Sequence, residues 1–507
     1  MKSILSLIVI LLAFISCTIP SDKGNNYYFD AGNGNDSNNG LSPRTAWRSL
    51  EKIKDVPLKA GDSLLFCRGT VFNGILEIEG QGTSDRRIVI DVYGTGEKPC
   101  ITAPDSSLYA VRIKNSDYIT VQNLEIVNKG TERMAHRTGI KVLCDNYGTS
   151  HNIVLNALNI HDVNGSLIKH DGGGSAIFIQ SKGKETVSVF DSLLIENCII
   201  RRCERNAIIW SAPWSRKNWN LSTNTIVRKN LIEEVPGDGI VPIGCDGALI
   251  EYNLMRNCPA TLPPLQAAAG IWPWSCDNTV IQFNEVSDHK APWDGQGFDS
   301  DFNCTNTTIQ YNYSHDNQGG FILICNAGKT NPEENIGNIG TVVQYNISIG
   351  DAIRPHETHA GVFSPTIHIG GPCKNTRINN NILHANKKPN KLTDRTMITA
   401  DTWDGFPDST FVYKNVFYTQ EPLRFNLTKS TNNDYSGNYY LGKFSGIPEK
   451  NPQTSSSVYE SIIRKDVNGF DALAPLMEKI EIADGATFVT VVNKKAMDNF
   501  FEELTKN

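Results

Sequence analysis

Short runs of alternating apolar and polar residues come in pairs along most of this chain, and an asparagine stands between the members of each pair. The pattern reads TVQNLEI around Asn123, LIENCII around Asn197, IVRKNLI around Asn230 and LIEYNLM around Asn253, and it recurs at Asn284, Asn312, Asn346, Asn381 and Asn415. Successive positions lie 23 to 40 residues apart once Ala157 fills the slot in LNALNI. Alternation with a period of two predicts two short strands meeting at a bend. Asparagine suits the bend, because it tolerates left-handed backbone and its amide can bond nearby main chain. A period of this length is one coil of a solenoid. Stacking the coils would turn the asparagines into an internal hydrogen-bonded ladder.

A second repeat follows each of these positions: TGIKVLC from Thr138, SAIFIQS from Ser175, NAIIWSA from Asn206, DGIVPIG from Asp238, AGIWPWS from Ala269, QGFDSDF from Gln296 and GGFILIC from Gly319. Alignment on the small second residue brings Ile140, Ile177, Ile208, Ile240, Ile271, Phe298 and Phe321 into one inward column. The residues on either side then point outward. One outward column holds Lys141, Phe178, Ile209, Val241, Trp272, Asp299 and Ile322; its neighbour holds Leu143, Gln180, Ser211, Ile243, Trp274, Asp301 and Ile324.

The asparagine positions over residues 100 to 420 resemble the asparagine ladder of pectate-lyase-like proteins, which implies an all-β fold, a right-handed parallel β-helix. The opening YYFDAGNGNDSNNGLSP resembles the start of many secreted β-helix proteins of the Bacteroidetes. The expected organisation is an export signal over 1–17, a tether and N-terminal cap over 18–100, the β-helix over 101–420 and a C-terminal cap over 421–507. Both caps follow from the need to cover an open solenoid end. The first contains a helical pattern with Trp47, Leu50 and Ile53 on one face and the strand GDSLLFCRG; the second contains the strand ATFVTVVN and a helix with Met497, Phe500, Phe501 and Leu504 on one face.

The extreme N-terminus, with Lys2, an apolar run from Ile4 to Ile15 and then Ser16-Cys17, has the order of an export signal and is too short to span a bilayer. It resembles a bacterial lipobox, with Phe14 departing from the usual aliphatic residue, which implies a lipid on Cys17 and a cell-envelope protein anchored to the outer membrane. Net charge is −6 and no long basic run is present, so nucleic acid is not an expected partner. Eleven cysteines remain after Cys17, without zinc-type spacing, and several sit inside apolar strands, which favours buried thiols over disulfides.

In this alignment two tryptophans lie one coil from two aspartates, a combination that suits a sugar ring: the indoles pack on its C–H face while the acids address the glycosidic oxygen. Glycoside hydrolysis needs one carboxyl as proton donor and a second as nucleophile or base. Asp299 and Asp301 are the first candidates, with Asp238 two coils away. The loop SDHKAPWDGQG adds His289, Trp293 and Asp294, and YSHDNQG adds His315 and Asp316. AIRPHETHAG offers Arg354, His356, Glu357 and His359, and SAPWSRKNWN offers Trp214, Arg216 and Trp219. The expected catalytic set is therefore Asp299, Asp301, Asp238, Asp294, His315 and His289. Substrate is expected to meet Trp272, Trp274, Trp293, Trp214, Arg354, His356 and His359.

The GDGI stretch at Asp238 resembles the exposed strand of polygalacturonase-type hydrolases, whose paired aspartates and basic motif are missing. The layout is similar to β-helix glycoside hydrolases that include α-L-fucosidases and xylanases, which implies a hydrolase of a complex polysaccharide. A monomer is expected, and a hydrolase requires no cofactor, with Ca²⁺ the alternative. Two readings compete with it. A polysaccharide lyase would hold Ca²⁺ on Asp299 and Asp301, with Asp238 as a third candidate ligand, and would use His289, His315 or Lys290 as base. A non-catalytic β-helix would only bind glycan.

Overall fold

The computed structural model describes residues 24–505, apart from 428, 484 and 486, so Cys17 and the export segment lie outside the described residues. The chain is a parallel β-helix. A 14-stranded sheet runs from Asn26–Phe29 to Asp434–Ser436, and a 13-stranded sheet from Val71–Asn73 to Tyr439–Leu441. The third face is split into two six-stranded sheets, one ending at Ile240–Val241 and the other starting at Gln296–Ser300. Ile271 bridges them, pairing with Ile240 and Phe298. Pro242 and Pro273 stand at the break, and neither can donate to the ladder. No helix among the described residues is long and apolar enough to cross a membrane.

The coils extend past both expected boundaries. Asn26–Phe29 already pairs with Ser63–Cys67 as the first rungs of the long sheet, so the segment before residue 100 is β-helix, with the helical turn Leu50–Asp55 burying Leu50 and Ile53. At the other end, coils continue to Phe444–Ser445. The antiparallel pair Met477–Ile482 and Thr487–Val492 and the helix Lys494–Thr505 then fold back along the flank. Met497, Phe500, Phe501 and Leu504 share a buried cluster with Tyr311, Ile347 and Val416 of the 13-stranded sheet and its bend, so this segment covers a side of the solenoid rather than its end.

The asparagine ladder spans Asn230, Asn253, Asn284, Asn312, Asn346, Asn381, Asn415 and Asn438, all buried. Asn312 is typical: its amide donates to Asn346 Oδ1 at 3.0 Å and to the Ile281 carbonyl at 2.9 Å, and its own oxygen accepts from Asn284. The left-handed residue is the one before each ladder position, which differs from expectation: Lys229, Tyr252, Phe283, Tyr311, Tyr345 and Lys414 have φ of 54–56°. Tyr252, Phe283, Tyr311 and Tyr345 therefore stack outside the bend at 5.0 to 5.4 Å spacing. Asn123 and Asn197 are themselves left-handed residues, and Leu124 and Cys198 take the internal place there. All eleven cysteines after Cys17 are free thiols, nine of them buried.

Candidate active site

The inward column predicted from the second repeat is present from Ile140 through Ile177, Ile208, Ile240 and Ile271 to Phe298, fully buried throughout. It slips on the following coil. Phe298 pairs with Ile322, not Phe321, and Asp299 pairs with Leu323. Gly320, with φ at +124°, absorbs the extra residue in a conformation closed to other side chains. Leu323 and Cys325 consequently take the outward places expected of Ile322 and Ile324. His368 and Gly370 follow on the next coil.

Asp299 and Asp301 share the outward side of one strand, but loops cover them: Asp299 is only 3% exposed and Asp301 is half-buried. The Cys325 thiol donates to Asp301 Oδ1 at 3.2 Å, and the Phe302 N–H donates to the same oxygen at 2.6 Å. Asp299 Oδ1 is buried with no hydrogen-bond partner among the described residues. Burial, then the charges of Asp301 and Asp294, push the Asp299 carboxyl well above the usual range. Asp301 is raised by burial too, but its two donors pull the other way. Asp294, on the covering loop, is raised to about 7 by burial and by the charge of Asp301. Asp299 and Asp301 thus form a close pair whose charge also bears on Asp294, and the environments of the three carboxyl groups differ.

The donor atoms of Asp299, Asp301 and Cys325 lie within 4.8 Å of one another. A calcium site takes six to eight oxygens. Two carboxylates and a soft thiol match that donor set poorly.

The remaining expected residues divide into those that frame this cluster and those that do not. Trp293 is half-buried, with its ring 4.0 Å from His359 and 6.1 Å from Phe363. Trp214 meets Trp274 at 5.5 Å, and its loop is held by Asn303 Nδ2 donating to the Trp214 carbonyl at 2.9 Å. Trp272 is almost fully buried, and its indole N–H donates to Asp238 Oδ1 at 3.2 Å, so it supports the site from beneath.

Asp238 is not outward. It is buried against Arg205, 2.6 Å away and equally inaccessible, and accepts also from the Ala269 N–H at 3.2 Å. Burial opposes its charge, yet Lys169 and Arg205 hold its carboxyl below the usual range. His289 is buried with Nε2 2.9 Å from the Gly237 carbonyl. His315 lies on the 13-stranded sheet, on another face from Asp299, between Asp316 at 2.8 Å and Glu285 at 3.3 Å. Arg354 is buried and donates to the carbonyls of Ala291 and Asp294, both at 2.6 Å, and to Ser364 Oγ. It positions the Asp294 loop and is not open to substrate. His356 is exposed on the loop beyond it.

Two residues at the site carry no mark in the repeat pattern as aligned above. His368 bonds Asp401 Oδ1 at 3.0 Å and sits edge-on to Phe363 and Trp403. Its strand reads IHIG, so extending the inward alignment to Ile367 and Ile369 places it outward. Lys169 projects from an irregular loop that no periodicity marks. Its ammonium lies 4.9 Å above the Trp272 ring and 3.8 Å from Asp238, and its charge acts on Asp294, Asp299 and Asp301 alike.

Carboxyl groups in unlike environments, on a face that also carries indole and imidazole rings, are the equipment for acid-assisted cleavage of a glycosidic bond. The chain is similar to lacto-N-biosidases. It is 27% identical over 472 residues to the lacto-N-biosidase of Bifidobacterium longum subsp. longum, covering 74% of this chain and 28% of that protein. This chain therefore spans less than a third of the length of that relative. The crystal structure of a GH136 lacto-N-biosidase from Eubacterium ramulus superposes with a TM-score of 0.60 at 24% identity, covering 83% of this chain and 68% of the other, a likeness of fold. No protein-family model matches the chain.

Proposed function

We propose that the protein is a glycoside hydrolase acting on oligosaccharides, with Asp294 as proton donor and Asp301 as the second carboxyl. The observation that carries this reading is the placement of Asp301: it shares the outward side of its strand with Asp299, accepts from the Phe302 N–H and the Cys325 thiol, and its charge bears on Asp294. With its pKa raised to about 7, Asp294 keeps its proton near neutrality. Asp301 has two donors on its carboxylate, which favour its charged form. As the glycosidic C–O bond breaks, Asp294 gives its proton to the leaving oxygen, and Asp301 attacks the anomeric carbon or takes the proton of an attacking water. Burial, then the charges of Asp301 and Asp294, push the Asp299 carboxyl well above the usual range, which opposes a further charge beside them. Trp293, with His359 and Phe363, offers aromatic surface to the sugar. The similarity to lacto-N-biosidases supports an oligosaccharide substrate. The reading includes a lipid on Cys17 holding the enzyme at the cell envelope, which Cys17→Ala would release from the membrane fraction.

The lyase reading loses its candidate bases: His289 is enclosed, His315 faces elsewhere, and Lys290 is tied to Asp288 at 2.8 Å. The test is release of reducing sugar from a panel of host, plant and algal oligosaccharides by the unmodified protein and by Asp301→Asn. A loss of about 10²–10⁴ in rate is expected for the variant. An ultraviolet-absorbing unsaturated product, or an Asp301→Asn protein as fast as the parent, would overturn the assignment.

A further inference from the structure

Beyond the aspartates, the same outward face carries a second concavity. A cleft of about 530 Å³ opens over the strands Tyr109–Lys114, Thr138–Asp145, Ser175–Lys182 and Asn206–Ser211, lined by Tyr109, Lys141, Lys169, Phe178, Gln180 and Asn206 among others. Its polar lining includes two lysines and a histidine, and no aspartate or glutamate among the described residues. In a chain of net charge −6, that imbalance is local and specific.

Lys141 is the centre of it. Its side chain is half-buried, with Nζ 5.7 Å from the centre of the Phe178 ring. The neighbouring cations are each satisfied: Arg112 pairs with Glu77 at 2.9 Å and Lys182 with Asp145 at 3.1 Å. No carboxylate among the described residues makes an ion pair with Lys141. Burial, then the charges of Lys182 and Arg112, push its ammonium below the usual range, with only Asp145 acting the other way. A half-buried cation without a counter-charge is a costly arrangement that a bound anion relieves.

Lys169 relates the cleft to the aspartates: it lines the cleft, and its ammonium lies over Trp272, one coil before Asp299. Register places Lys141 opposite Phe178, then Ile209, then Val241, in the outward column that reaches Trp272 and Asp299. Five coil steps at about 4.8 Å separate Lys141 from Asp299, roughly 24 Å along the axis. Val241 and Trp272 are buried between the two, so a glycan reaching the cleft would cross that stretch over Lys169 rather than on the column, and would meet Phe178 and Lys141 at its far end.

We propose that this cleft is a remote subsite for an anionic substituent, a carboxylate or sulfate ester, on the glycan whose bond is cut at the aspartates. The proposal rests on the hydrolase reading for where the scissile bond lies. Hydrogen bonds from Gln180 and Asn206 would orient the sugar, while Lys141, which has no ion-pair partner among the described residues, pairs with the charge.

The test is calorimetric binding of three matched oligosaccharides: a neutral parent, its sulfated form and its form carrying an acidic sugar, each with Asp301→Asn protein so that cleavage does not intrude. An anionic form should bind about tenfold more tightly than the parent, the order of one charge-assisted hydrogen bond. That ratio should fall towards one in Lys141→Met, whose apolar stem keeps the packing on Phe178, and also when salt is raised to about 0.5 M in the parent background. Equal affinity for all three ligands overturns the proposal, as does a ratio that survives either the substitution or the salt. Should Lys141→Met fail to fold, the salt titration alone decides between the two outcomes. Which anionic form is preferred names the ligand class. Cleavage of the neutral parent without an anionic preference removes the subsite and leaves the hydrolase; a preference without cleavage of any ligand by unmodified protein removes the hydrolase and leaves a binding cleft.

Discussion

Asp294→Asn tests the proton-donor assignment through two independent quantities. The substitution keeps the shape of the loop, because Arg354 grips the Asp294 carbonyl rather than its side chain. It removes the proton that the leaving oxygen requires, so kcat/KM should fall by about 10²–10⁴. The alkaline limb of the parent's pH–rate profile should lie near pH 7, the value to which burial and Asp301 raise this carboxyl, and should disappear in the variant.

Stability supplies the second quantity. A carboxyl whose pKa rises from 3.8 to about 7 on folding binds its proton more tightly in the native state, so the parent loses stability as pH climbs through that window. Integrated between pH 5 and pH 8, the loss through this group is about 2–3 kcal/mol. Asparagine does not titrate. The stability of Asp294→Asn relative to the parent should therefore improve by about that amount between pH 5 and pH 8, read from urea unfolding at the two values. Parent-like turnover in the variant, or a stability difference that does not change with pH, would refute the reasoning.

Asn312→Leu should destabilise the fold by about 1–3 kcal/mol, since it removes the bond to the Ile281 carbonyl and the acceptor of the Asn284 main-chain N–H inside the solenoid; a thermal melt unchanged from the parent would deny the ladder its role. Arg205→Met leaves Asp238 buried without its closest counter-charge, so about 3–5 kcal/mol should be lost in denaturant titrations, and Arg205→Met/Asp238→Leu together should recover part of it. His315→Gln should leave turnover at the parent value, because the residue faces away from the aspartates. Burial lowers the His315 pKa but Asp316 and Glu285 outweigh it, raising it from 6.5 to about 9. Its contribution is therefore complete below pH 6.5 and lost as pH rises through 9, and melts at pH 6 and pH 10 should differ more for the parent than for the variant.

Periodicity along the chain settles which side of a strand each residue occupies. Alternation with a period of two placed Ile140 to Phe298 inside and Asp299 and Asp301 outside, because that geometry is local to each strand. The solenoid followed from the spacing of Asn230 to Asn415 for the same reason. Its exact bend did not: whether the asparagine or the residue before it is left-handed depends on which amide reaches the next coil, and the stacked rings from Tyr252 to Tyr345 show the choice made.

What covers the outward face, by contrast, is fixed by packing between remote coils. Asp238 sits in the same repeat position as Asn206, yet Arg205 from the preceding coil turns it into a buried ion pair. Arg354, His289 and His315 belong to segments with similar polar composition, and separate into a buried clamp, an enclosed imidazole and a strand on a distant face according to where each coil carries them. Lys169 reaches the aspartates across coils from a loop without a pattern. The register slip at Gly320 moved Cys325 beside Asp301 through a single extra residue. Local periodicity orients a side chain relative to its own strand, whereas burial and acidity at the site are set by loops remote in sequence, whose placement depends on the accumulated offset of every coil between them.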